Sequence, residues 1–234
     1  MEVANIFVVL AADFAPALVW LFFFLREDEV HPEPRRLIAK VFAVGALASV
    51  PTFFVQSGFD ALLKGEFAVL VVLLAFIEEL FKFGAAWLVV RRDKAFDEPV
   101  DAMIYMVAAS LGFATVENIF ITGSAYPLSA SLGAFLAAGG ALSTLTYRFL
   151  GAPLLHVLSS ALLGYAWAFG WAKGRPLRFI AVGLLAATAV HSVFNFLIYR
   201  FQYENLIIPT LFLVLAGFFV LVDFEKVKKF GKGL

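Results

Sequence analysis

The chain is predicted to be an all-α, polytopic integral membrane helix bundle of seven or eight transmembrane helices. Its 234 residues are 62% hydrophobic and include 28 phenylalanines, with a mean hydropathy of +0.92. No water-soluble core hides an apolar fraction of that size. The apolar residues also fall into runs of about 20, the length that crosses a hydrocarbon layer of about 30 Å. Charged and turn residues bound those runs.

Taken in order, the first run spans 3–25. It follows a start with no basic segment and no small-residue cleavage site, so it is expected to be a retained span. Further runs at 37–57, 66–90, 100–122, 151–172, 178–199 and 205–223 make seven predicted spans. Residues 124–150 are interrupted by Pro127, Gly133, Gly139 and Gly140.

The positive-inside rule bears on that segment. Basic residues crowd into four clusters: Arg26, Arg35, Arg36 and Lys40; Arg91, Arg92 and Lys94; Lys173, Arg175 and Arg178; and Lys226, Lys228, Lys229 and Lys232. All four share one side of the bilayer if 124–150 does not fully cross. The expectation is an outside N-terminus, an inside C-terminus and a re-entrant or in-plane segment at 124–150, with eight full spans as the alternative.

The spans leave no room for a separate soluble unit, so residues 1–234 are expected to form one membrane-embedded domain in the cell membrane, with the lipid bilayer as its surroundings. Eighteen basic and eighteen acidic residues balance to zero, which gives no electrostatic signal for nucleic acid. The absence of cysteine excludes disulfides, thiolate metal ligands and a cysteine nucleophile.

Four polar groups interrupt the apolar runs: Glu78, Glu79 and Lys82; Glu117 and Asn118; His156; and His191 with Asn195. A charged group at bilayer depth costs about 3 kcal/mol even on the lenient insertion scale, so such residues mark functional sites by default. By helical rise, Glu78 lies about 20 Å from the basic loop at Arg91, and Glu117, His156 and His191 lie about 20 to 26 Å from their own basic loops. The four groups share one depth in the topology that the charge distribution selects. Glu78 and Lys82, and likewise His191 and Asn195, are i,i+4 neighbours, whereas Glu79 is turned by about 100°.

Such a set suits water activation at a carbonyl. A desolvated glutamate can act as general base. The histidines and asparagine could stabilise an oxyanion, or the histidines and a glutamate could hold zinc. The chain has no HExxH, no GxGD with an intramembrane aspartate and no Gly-x-Ser context for a serine dyad, which disfavours the corresponding protease classes. Ser159 and Ser160 are read as helix-packing residues, and His31 as solvated. A proton-coupled transporter and a non-catalytic membrane scaffold are the alternatives from other classes.

Glu78-Glu79-x-x-Lys82, Phe113-x-x-x-Glu117-Asn118, a lone His156 and His191-x-x-x-Asn195 resemble the ordered motifs of the PrsW family of intramembrane proteases. That family is similar to the superfamily of CAAX prenyl proteases and bacteriocin-processing membrane proteases. The resemblance covers roughly residues 67–200. It implies glutamate-dependent or metal-dependent hydrolysis of a single-pass, membrane-anchored protein, by analogy site-1 cleavage of an anti-sigma factor. It marks Glu78, Glu79, Glu117, His156, His191 and Asn195 as catalytic, with Lys82 and Asn118 in support. Glu79, His156 and His191 are the expected ligands of a zinc ion. Glu117 stands where the CAAX-type pattern has histidine.

Overall fold

The computed structural model describes residues 2–28, 31–125, 151–201 and 207–231. Among these, seven α-helices follow one another: α1 (Glu2–Leu25), α2 (Arg35–Leu62), α3 (Phe67–Val90), α4 (Pro99–Ala125), α5 (Ala152–Ala172), α6 (Pro176–Phe201) and α7 (Ile207–Gly231). A 3₁₀ turn at Arg26–Asp28 closes α1. The stretches Arg35–Leu62, Pro99–Phe120, Ala152–Ala172, Pro176–Phe201 and Ile207–Lys229 are long and apolar enough to cross a membrane. Helix α3 has 24 residues and carries Glu78, Glu79 and Lys82 near its middle. A spanning chain must satisfy its backbone internally, which is why such sequences fold as helices. The expected re-entrant segment at 124–150 lies almost wholly outside the described residues.

Several helices run past their apolar limits. Helix α7 continues beyond the expected end at 223 to Gly231, carried by i,i+3 ion pairs from Lys226 to Asp223 and from Lys228 to Glu225 at 2.8 and 2.9 Å. Helix α6 starts at Pro176, where the missing N–H is one that a helix start leaves unused. The tight turn before it needs Gly174, whose φ of +64° lies in the left-handed region that favours glycine.

Helix α4 is the buried centre. It packs against α1, α2, α3, α5 and α7, and Met103, Ile104, Tyr105, Met106 and Leu111 are all but inaccessible. Lipid supplies little hydrophobic drive between helices, so close packing of small residues must hold them together. A Cβ at Gly45 of α2 would collide with the backbone of Ala109, and one at Gly112 of α4 with the backbone of Phe42. A Cβ at Gly164 of α5 would lie 2.8 Å from Met103 Cα.

The basic clusters gather at one end. Lys228 Nζ reaches Glu27 Oε2 at 2.6 Å, His31 Nδ1 reaches Glu98 Oε1 at 2.8 Å, and Phe96 stacks on Trp171 with ring centroids 4.9 Å apart. These contacts join the α1–α2 connection, the α3–α4 connection, the end of α5 and the end of α7. Helices α4 and α5 are therefore antiparallel, and the polar groups of α3, α4, α5 and α6 meet in the half of the bundle away from the basic end.

Candidate active site

Helix α3 brings three ionisable side chains into the bundle. Glu78, Glu79 and Lys82 are all buried, the last two completely. Buried charges survive only when paired and hydrogen-bonded, and each group here has a different solution.

Glu79 is saturated. Its Oε1 accepts from Lys82 Nζ at 2.9 Å, from Ser159 Oγ at 2.9 Å and from His191 Nδ1 at 2.8 Å. Its Oε2 accepts from Ser160 Oγ at 2.8 Å. Four donors from three helices thus fix this carboxylate in its acceptor-only, ionised form.

Glu78 is not. Its Oε1 accepts from Gln56 Nε2 of α2 at 2.9 Å, but its Oε2 is buried without a hydrogen bond. Around that oxygen stand Lys82 Nζ at 3.5 Å, His191 Nε2 at 3.6 Å and His156 Nδ1 at 3.8 Å. A buried oxygen left open in this way calls for an explanation such as a catalytic role or a bound ion.

Each imidazole has one nitrogen engaged with a carboxylate and turns the other toward Glu78. His191 donates from Nδ1 to Glu79, which leaves Nε2 as the bare nitrogen. His156 Nε2 lies 2.7 Å from Glu117 Oε2, out of line for a full hydrogen bond. Its Nδ1 accepts from Lys82 Nζ at 2.5 Å. The two rings meet edge to face, with centroids 5.1 Å apart, and the Phe113 ring lies 5.8 Å from His156. The Glu117 side chain is 31% exposed, more than the other charged members of the cluster, although its Oε2 is buried.

Glu78, His156 and His191 each offer a ligand atom, and these atoms lie within 4.8 Å of one another. Glu79, expected from sequence among the ligands, lies with its Oε1 2.8 Å from His191 Nδ1. Outer carboxylates that orient a ligating histidine are the usual support of a metal centre. Counting Lys82 as charged and the imidazoles as neutral, the three carboxylates leave a formal charge of minus two, which one divalent cation cancels. The donor set of two nitrogens and one carboxylate oxygen is one that zinc accepts. The residues present therefore fit a metal ion, with Lys82 as the competing cation at the His156 lone pair.

Asn118, beside Glu117, is buried. Asn195, one turn beyond His191 on α6, is half-buried. Sequence reasoning passed over Gln56 and took Ser159 and Ser160 for packing residues. A usable signal for the serines was their i,i+3 and i,i+4 spacing from His156, which puts them on its face of α5.

The fold and the site define a class: a polytopic membrane protein with a buried carboxylate and imidazole centre. The chain belongs to the PrsW family, whose profile, described as PrsW family intramembrane metalloprotease, matches residues 33–222. It is 28% identical over 225 residues to the Protease PrsW of Oceanobacillus iheyensis, covering 93% of this chain and 95% of that protein. The Protease PrsW of Bacillus subtilis is 26% identical over 82% of this chain and 83% of its own length. That of Clostridioides difficile is 26% identical over 85% and 83%. No solved structure matches the chain. Family membership makes the protein a peptidase and a multi-pass protein of the cell membrane, and decides against the transporter and scaffold readings.

Proposed function

We propose that the protein cleaves a peptide bond in a single-pass, membrane-anchored protein, using a water activated at the Glu78, His156 and His191 centre. The observation that carries this reading is the open Glu78 Oε2, faced by one nitrogen of each histidine, while both oxygens of the adjacent Glu79 are held by neighbours. A zinc ion held by these three residues would acidify a bound water and polarise the scissile carbonyl.

The other residues have separable tasks. Glu79 sets the tautomer of His191 and holds Lys82. With a metal on His156 Nδ1, Lys82 would keep Glu79 as its partner. Gln56 fixes the orientation of Glu78. Glu117, adjacent to His156 and partly exposed, takes a proton from the attacking water. It then returns that proton to the departing amine as the carbon–nitrogen bond breaks. Asn195 supports the oxyanion.

An anti-sigma factor is the substrate class that the motifs suggest by analogy. The test is incubation of purified protein with single-pass membrane peptides, comparing wild type with Glu78→Gln and each with and without a chelator. Cleavage abolished by the substitution and by the chelator, in protein that stays folded, supports the reading. Cleavage that survives both contradicts it.

A further inference from the structure

A second cluster of buried carboxylates lies at the other end of α4, at the basic end of the bundle. Asp28 of the 3₁₀ turn is 6% exposed and Asp101 in the first turn of α4 is 1% exposed. With the half-buried Glu33 of the α1–α2 connection they place three ligand oxygens within 4.8 Å of one another. Like charges so close and so buried repel strongly unless a cation or shared protons intervene.

Most of the surrounding polar groups are committed. Asp101 Oδ2 accepts the backbone N–H groups of Asp97 and Glu98 at 2.9 and 2.7 Å, which caps α4 and fixes the carboxylate. Tyr105 donates its hydroxyl to Glu33 Oε2, which fixes the second. Asp28 Oδ2, by contrast, is buried and has no hydrogen-bond partner. Nearby basic groups are engaged elsewhere: His31 pairs with Glu98, and Lys228 with Glu27 and Glu225.

We propose that Asp28, Glu33 and Asp101 form a binding site for a hard divalent cation, Ca²⁺ or Mg²⁺, at the basic end of the bundle. The donors are all oxygen, with no nitrogen or sulfur, which is the set such cations select. Oxygen ligands at about 2.3–2.6 Å from one ion can be separated by distances of this order. The ion would clip the α1–α2 connection to the start of the central helix. This site is separate from the Glu78 centre and takes a different class of metal.

Terbium is a luminescent stand-in for calcium, and Tyr105, bonded to Glu33, is placed to sensitise it. Full-length protein in detergent is titrated with Tb³⁺ while tyrosine is excited, and the signal is then competed with Ca²⁺ and with Mg²⁺. The expected result is a saturable signal that either cation displaces. It should be retained in Glu78→Gln and weakened at least tenfold in Asp28→Asn and in Glu33→Gln, with size-exclusion profiles unchanged. Which competitor displaces at lower concentration identifies the preferred ion. No displaceable signal in the wild type would overturn the proposal and assign the cluster to shared protons. Unchanged affinity in a folded Asp28→Asn or Glu33→Gln protein would overturn it equally. The failure of this site leaves the peptidase assignment untouched, since Glu78→Gln reports on that separately.

Discussion

Glu79 Oε1 lies 2.8 Å from His191 Nδ1, and that one bond assigns the two adjacent glutamates different work. Because His191 spends Nδ1 on Glu79, its Nε2 is left to face Glu78. Glu79→Gln should therefore damage the site without removing a ligand. An amide accepts at one end only, so it would leave Lys82 and a serine poorly matched. We expect a 10- to 100-fold loss of metal affinity, as for other residues behind a ligand. A stability loss of about 3 kcal/mol should accompany it, from a buried ammonium with a weakened partner. Metal titration and thermal unfolding in detergent check both.

Glu117 should separate proton transfer from metal holding. In Glu117→Gln the Glu78, His156 and His191 trio is intact, so bound metal is expected at the wild-type ratio. Turnover should fall by about 10² to 10⁴, the usual worth of a general base. Metal analysis beside cleavage rates tests this, and equal loss of metal and activity would make Glu117 a supporting group instead.

The ion pair at the heart of the site should show coupling. Removing Lys82 alone, as Lys82→Met, leaves Glu79 three donors. Removing both charges leaves neither partner stranded. A double-mutant cycle of Lys82→Met and Glu79→Gln is expected to give an interaction of about 1 to 3 kcal/mol, read from unfolding midpoints. A value near zero would mean that the two side chains do not depend on each other.

The meeting of α2 and α4 rests on glycine. Gly45→Ala and Gly112→Ala each place a methyl group against opposing backbone, which cannot retreat as a flexible side chain would. Each should cost about 2 kcal/mol or more. Gly58→Ala, also on α2, meets nothing within 4 Å and should be neutral or slightly stabilising. Parallel unfolding curves for the three variants provide the check.

How much of this was legible in the sequence follows from what each signal depends on. Glu78, Glu79, Glu117, His156 and His191 stood out because charge and imidazole are expensive at bilayer depth, and rise per residue placed them at one level. The division of labour between Glu78 and Glu79 was hidden. A 100° turn separates them, but only the packing of α5 and α6 determines which one meets Ser159, Ser160 and His191. Gln56 was overlooked because a lone amide near a span end carries no such cost. The Asp28, Glu33 and Asp101 cluster was invisible for another reason: its members lie up to 73 positions apart, and Asp28 and Glu33 lie outside the apolar runs while Asp101 sits at the very edge of one, where a charge is not anomalous. Helix ends drifted where ion pairs such as Lys226 with Asp223 extend a helix beyond its apolar stretch.

The central claim is that Glu78, His156 and His191, and not Glu79, hold a metal ion. X-ray absorption at the zinc edge of purified, zinc-loaded protein tests it most directly, with wild type, Glu78→Gln and Glu79→Gln measured together. Zinc in the wild type is expected to be bound by two imidazoles and one carboxylate. The same ligand set at reduced occupancy is expected in Glu79→Gln, and loss of the carboxylate or of the metal in Glu78→Gln. A wild-type ligand set that persists in Glu78→Gln and disappears in Glu79→Gln would contradict the claim.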